Sequence, residues 1–89
     1  MRFDRSVVAV PPGGARDYDE ADWRDALVLV VRGEIELEAR GGRRARFGRG
    51  AVLSLAGLRL RALHNRGAEP AELVTVRRRR AARAGRERR

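Results

Sequence analysis

The fourteen residues ALVLVVRGEIELEA, positions 26–39, constrain the fold of this chain more than any other stretch. From Ala26 to Val31 every position is apolar, the pattern of a strand covered on both faces. From Glu34 onward the pattern alternates: Glu34, Glu36 and Glu38 fall on one face, Ile35 and Leu37 on the other. Gly33 lies between the halves and marks a bend or bulge. The apolar run is six residues, far short of the roughly 20 that span a bilayer.

Period-2 patterning extends through the rest of the chain, and no segment has the period of an amphipathic helix. Ser6–Val10 is a short apolar run stopped by PPGG at 11–14. Residues 15–25, ARDYDEADWRD, are polar and acidic; their spacing could support one helical turn, and a loop is the preferred reading. Tyr18 and Trp23 either anchor it on the body or line a ligand mouth. After Gly41-Gly42 the chain returns through RRARF. A three-residue loop at 41–43 sets Leu37 opposite Phe47 and Glu38 opposite Arg46, so that like meets like on the apolar face and opposite charges meet on the polar one. AVLSL at 51–55 and AELVTV at 71–76 complete six to eight short strands. The expectation is an all-β sandwich or small barrel.

Eighty-nine residues make one small domain near the lower limit for an independent core. There is no cysteine, so neither disulfides nor thiolate metal sites are available. The net charge of +9 is unevenly placed: residues 77–89, RRRRAARAGRERR, hold eight arginines and one glutamate, a net of +7. The domain is therefore expected at 1–76, followed by an Arg-rich, disordered tail at 77–89. The N-terminus carries charges within its first five residues and no long apolar region, so a cytoplasmic protein with no membrane segment is expected.

The glycines and Asn65 resemble the cupin superfamily. That family is recognised by G(X)5HXH(X)3,4E(X)6G and G(X)5PXG(X)2H(X)3N. Counting from Gly14 reaches Glu20 and Asp22 at the two histidine positions, Ala26 at the glutamate position and then Gly33. From Gly50, the second frame meets Ala56, Leu58 and Arg61 at the proline, glycine and histidine positions and closes on Asn65. Sixteen residues separate the frames. The resemblance covers roughly residues 6–76 and implies a small jelly-roll β-barrel. In the family these positions hold one divalent metal inside the barrel. Here none keeps its family residue: Ala26 has no donor atom, and Arg61 repels a divalent cation. No metal and no other cofactor are therefore expected.

RGAVLSLAGLRLRALHN at 49–65 then poses a conflict. The family frame points Arg61 into the barrel, paired with Glu20 or Asp22 and able to hold a carboxylate through two parallel hydrogen bonds. Parity instead groups Leu58, Leu60, Ala62 and His64 on one face, with Arg59, Arg61 and Leu63 on the other, which puts the arginines in solvent. A bulge near Gly57 would reconcile the two.

The leading expectation is a metal-free binding or accessory module, not an enzyme, with Glu20, Asp22, Arg61 and His64 as candidates for holding a small anionic or carboxylate ligand. A homodimer is expected because a strand apolar on both faces leaves surface for a partner. The alternative is an isomerase, epimerase or cyclase in which Arg61 holds a carboxylate and His64 or Glu20 transfers a proton. A further alternative is nucleic-acid association through the tail.

Overall fold

A computed structural model describes residues 3–78. Eight strands form: β1 Phe3–Val10, β2 Ala15–Asp17, β3 Ala26–Arg32, β4 Glu34–Ala39, β5 Arg44–Gly48, β6 Val52–Ser54, β7 Leu60–His64 and β8 Ala71–Arg78. One antiparallel sheet has the order β1-β8-β3-β6, the other β2-β7-β4-β5. Only the β4–β5 hairpin stays within a sheet; every other connection crosses between them, as in a jelly roll.

The stretch 26–39 is thus two strands in two sheets. Gly33 makes the corner at φ 72°, and a Cβ there would lie 2.6 Å from the Pro70 carbonyl oxygen. Val28 and Val30 of β3 face Ile35 and Leu37 of β4 across a core completed by Val10, Trp23, Leu55, Leu60, Leu63, Ala71 and Leu73. Burying each large apolar side chain stabilises the fold by about 1.5–3 kcal/mol.

Three local expectations require correction. The segment preferred as a loop contains an unexpected strand, β2, and the one helical turn its spacing allowed, α1 (Glu20–Trp23), capped by the Asp19 side chain accepting from Ala21 N. The hairpin loop has three residues, but they are 40–42: Gly42 N donates to Ala39 O and Ala39 N to Arg43 O. The left-handed residue of such a loop is its last, and Gly42, at φ 96°, fills that position only in this placement. Pairing shifts by two residues, to Ile35 with Phe47, Glu36 with Arg46, Leu37 with Ala45 and Glu38 with Arg44, and the faces are preserved. Finally, β8 continues through Arg77 and Arg78, two residues past its expected end. The rest of the Arg-rich tail, 79–89, lies outside the described residues.

One side chain ties the closed end together. Asn65 is 1% exposed. Its Nδ2 donates to Val10 O (2.9 Å) and Glu69 O (2.7 Å), and its Oδ1 accepts from Gly67 N (2.9 Å). Its backbone exchanges hydrogen bonds with the turn after β1: Gly13 N donates to Asn65 O and Asn65 N to Gly14 O.

Replacing Asn65 with Ala would strand the buried Val10 carbonyl and the half-buried Glu69 carbonyl and Gly67 N–H, at about 2–4 kcal/mol in total. Gly33→Ala adds a clash to a left-handed backbone and should cost at least about 2 kcal/mol. Both variants are expected to melt at least about 10 °C lower in a calorimetric scan. A drop of only a few degrees for Asn65→Ala would refute the role given to its side chain.

Candidate functional site

The inner face of the first sheet is built in rows set by register. Val8, Leu73 and Val30 form an apolar row, Ser6, Thr75 and Val28 a mixed one, and Asp4, Arg77 and Ala26 a polar one. The barrel interior therefore grades from apolar to charged along β8. The second sheet contributes Arg16, which pairs with the inward-facing Leu63 and so projects to the inner side. At the polar end these residues surround a cavity of about 270 Å³ lined by Ser6, Val8, Arg16, Asp22, Trp23, Thr75 and Arg77.

Two donors on this wall are unanswered. Among the described residues, Trp23 Nε1 and Arg77 Nε are buried side-chain nitrogens with no hydrogen-bond partner. The Arg77 guanidinium also donates through Nη2 to the Asp22 carbonyl, which fixes it against α1. Trp23 stacks on Tyr18 with ring centroids 6.3 Å apart. Tyr18 OH donates to Glu20 Oε1 at 3.0 Å. Its phenol is pushed up to about 12, first by burial and then by that hydrogen bond to a carboxylate. Tyr18 therefore stays protonated, and Trp23 serves both as anchor and as cavity wall.

The four residues singled out from sequence do not converge. Asp22 lines the cavity, whereas Glu20 is exposed and engaged by Tyr18. Arg61 and His64 lie on the outer face of the second sheet. The cause is a register shift in β7 between Leu60 and Ala62, opposite Glu38 and Ala39. It turns both Leu60 and Leu63 inward and leaves Arg61 outward, its side chain 62% exposed. The bulge expected near Gly57 thus lies a few residues later. The enzyme reading that gathered Arg61, His64 and Glu20 around one carboxylate has no common cavity to operate in.

On that outer face Arg61 and His64 join a charge network. His64 Nε2 lies 2.7 Å from Glu38 Oε1; an ionised carboxylate only accepts, so Nε2 carries the hydrogen. Arg66 Nε donates to Glu36 Oε1 at 2.6 Å, and Arg44 Nη1 to the same oxygen at 3.0 Å. Arg44 and Arg61 also approach Glu38, each at 3.8 Å. Glu36 is held below its ordinary range chiefly by the Arg66 hydrogen bond, and Glu38 chiefly by that from His64.

The fold invites a test of metal binding. The frame positions offer Glu20 on the surface, Asp22 at the mouth, Ala26 without a donor and Arg61 outside the barrel. Moreover, Ala26 stands in register with Arg77, so a cation occupies the place beside the lost carboxylate. Among the described residues no three histidine, aspartate or glutamate side chains come together as metal ligands. The donor set does not fit a divalent ion. Nor is any helix among these residues long and apolar enough to cross a membrane.

No family model matches the sequence, and no curated protein matches it. Solved structures do. A Cupin 2 conserved barrel domain protein from Salinispora arenicola superposes with a TM-score of 0.67 at 24% identity, over 83% of this chain and 60% of the other. The Cupin_2 domain of an XRE family transcriptional regulator from Enterobacter cloacae gives 0.67 at 20% identity, over 83% and 78%. A sugar phosphate isomerase of the cupin superfamily from Silicibacter pomeroyi gives 0.61 at 24%, over 89% and 52%. The chain spans little more than half the length of the first and third. The fold is cupin-like, and its neighbours include an enzyme and a domain of a regulator.

Because both glutamates titrate below the unfolded value of 4.5, their contribution to stability is complete above that pH and is lost as pH falls through the lowered folded values. Thermal melts should hold steady from about pH 7 to 5 and fall towards pH 3. Glu38→Gln should show a smaller fall over the same range; an unchanged fall would show that the network contributes nothing.

Proposed function

We propose that this domain is a metal-free binding module that takes a small carboxylate into the mouth of its barrel. The observation that carries this reading is the cavity itself. Two guanidinium groups, Arg16 and Arg77, line it, and both Arg77 Nε and Trp23 Nε1 are buried there without an acceptor. A buried donor without an acceptor costs about 1–3 kcal/mol, so an oxygen ligand that answers two of them gains that energy on binding.

A carboxylate fits this wall well. Its oxygens accept from guanidinium and indole N–H groups, and Ser6 and Thr75 offer hydroxyls on the neighbouring row. The Asp22 carboxylate on the same wall disfavours a densely charged anion such as phosphate. The arginines supply the positive charge that a metal supplies elsewhere in this fold. Binding without chemistry fits a site that holds no histidine and no nucleophile arrangement. A cytoplasmic setting belongs to the same reading.

Trp23 is the only tryptophan, so its fluorescence reports on the cavity directly. Titration with acetate, lactate, malonate and inorganic phosphate at constant ionic strength should give a saturable change with at least one carboxylate and a weaker one with phosphate. Each charge-assisted hydrogen bond contributes about 1.5–3 kcal/mol, so Arg16→Ala and Arg77→Ala should each raise Kd about tenfold or more. Trp23→Phe, followed by calorimetry, should weaken binding by about three- to tenfold while the fold persists. No saturation by any carboxylate, or equal affinity in Arg16→Ala and Arg77→Ala, would overturn the proposal.

A further inference from the structure

Between Glu38 and Glu69 the chain holds eight arginines and no acid. The fold gathers most of them on one surface, the outer face of β2-β7-β4-β5. Register sets Asp17, Ala62, Glu38 and Arg44 in one row there. One step nearer the open end, Arg40 N donates to Arg59 O at 2.8 Å, so these two residues continue the β4–β7 ladder side by side. Arg61 stands between the two rows, at the register shift. Arg40 and Arg59 are both exposed, and neither has an ion-pair partner among the described residues.

Two of the acids on this face are sunk beneath its arginines. The side chains of Glu36 and Glu38 are 10% and 16% exposed, whereas those of Arg44, Arg46, Arg61 and Arg66 are 42% to 62% exposed. Arg44 and Arg66 donate to one oxygen of Glu36, so a single carboxylate answers two guanidinium groups. A molecule approaching this surface meets positive charge first. The pairing of Arg40 with Arg59 is itself unfavourable, because like charges directly opposite on neighbouring strands destabilise a sheet. An anion laid across both relieves that repulsion.

We infer that this face, around Arg40, Arg59, Arg61 and Arg44, binds the phosphate backbone of a nucleic acid without reading its sequence. A nucleic-acid strand presents closely repeated charges, and each guanidinium offers a phosphate two parallel N–H donors. None of the exposed large apolar side chains lies on β2, β4, β5 or β7, so the face has no anchor of the kind that holds a protein partner. Phe47, the aromatic residue of these strands, packs against the core and leaves no outward ring on which a base stacks. Contact is therefore with phosphate and depends on charge. The acids of 17–25 follow β2, at the opposite edge of the sheet from β5, and keep the bound strand on the β7-β4-β5 side. The sequence after Arg78, where β8 reaches the open end, adds six arginines and one glutamate at 79–89.

Fluorescence anisotropy of labelled single-stranded DNA, titrated with the full chain at salt from about 50 to 200 mM, tests this. Two unrelated sequences should bind equally, with log affinity falling linearly against log salt. Each phosphate contact to a single strand contributes about 0.7 to that slope, so the full chain carrying Arg40→Ala and Arg59→Ala should bind about tenfold more weakly at the lowest salt, with the slope flattened by about 1.4. Arg61→Ala alone should flatten it by about 0.7 and stays informative should the double variant fail to fold. Arg5→Ala, on the first sheet, should bind as the wild type does. No binding at the lowest salt would overturn the inference. So would an unchanged slope in both variants, which would place the contact on residues 79–89 alone. Displacement of the DNA by polyglutamate at equal charge would overturn it as well, by showing a surface that takes any polyanion.

Discussion

The closed end of this barrel depends on Asn65. Five segments meet there: the end of β1, the turn at 11–14, the end of β7, the loop leading to β8, and the Gly33 corner lying against Pro70. Loop backbone buried at such a junction has no ladder to satisfy it, so its hydrogen bonds must come from elsewhere. Asn65 supplies two donors and an acceptor from one short side chain, together with its own backbone pair. Once these segments are fixed, the register of β1 on β8 follows, and with it the rows that line the interior.

Those rows account for the division of labour in the molecule. Where they are apolar they stabilise it, and where β8 runs on into Thr75 and Arg77 the same alternation delivers a hydroxyl and a guanidinium to the interior. The mouth is therefore a continuation of the core in other side chains. On the outside, one sheet carries paired charges and the other an exposed apolar row, so the two faces meet solvent with different chemistry.

Much of this was legible in the sequence. Period-2 alternation identified the strands, Gly33 the corner, the Gly41-Gly42 pair the hairpin with its faces correctly assigned, and glycine spacing with Asn65 the cupin-like frame. The site was less legible because a single extra residue reverses every later side chain. For Arg61 the family frame pointed inward and strand parity outward; the structure agrees with parity, through a shift between Leu60 and Ala62 that no turn residue marks. Arg16 was missed because β2 is three residues long within an acidic stretch that suggests a loop. Arg77 was missed because composition assigned it to the basic tail. Parity offered a signal: Ala71, Leu73, Thr75 and Arg77 occupy alternate positions, and extending the strand by two residues sets Arg77 on the core side.

The order of strands in the first sheet has a temporal consequence. β8, the last strand among the described residues, sits between β1 and β3. During synthesis β1 emerges first and has no partner until residues 71–78 follow it. Up to that moment Val8 and Val10 lie uncovered beside a β3–β6 pair that lacks its central neighbour, and the Asn65 side chain has nothing to hold at β1. Closure of the barrel waits for residues 71–78, because until then no strand joins β1 to β3. A ribosome stalled before residue 71 would therefore hold the strands of the second sheet without the central strand that closes the first.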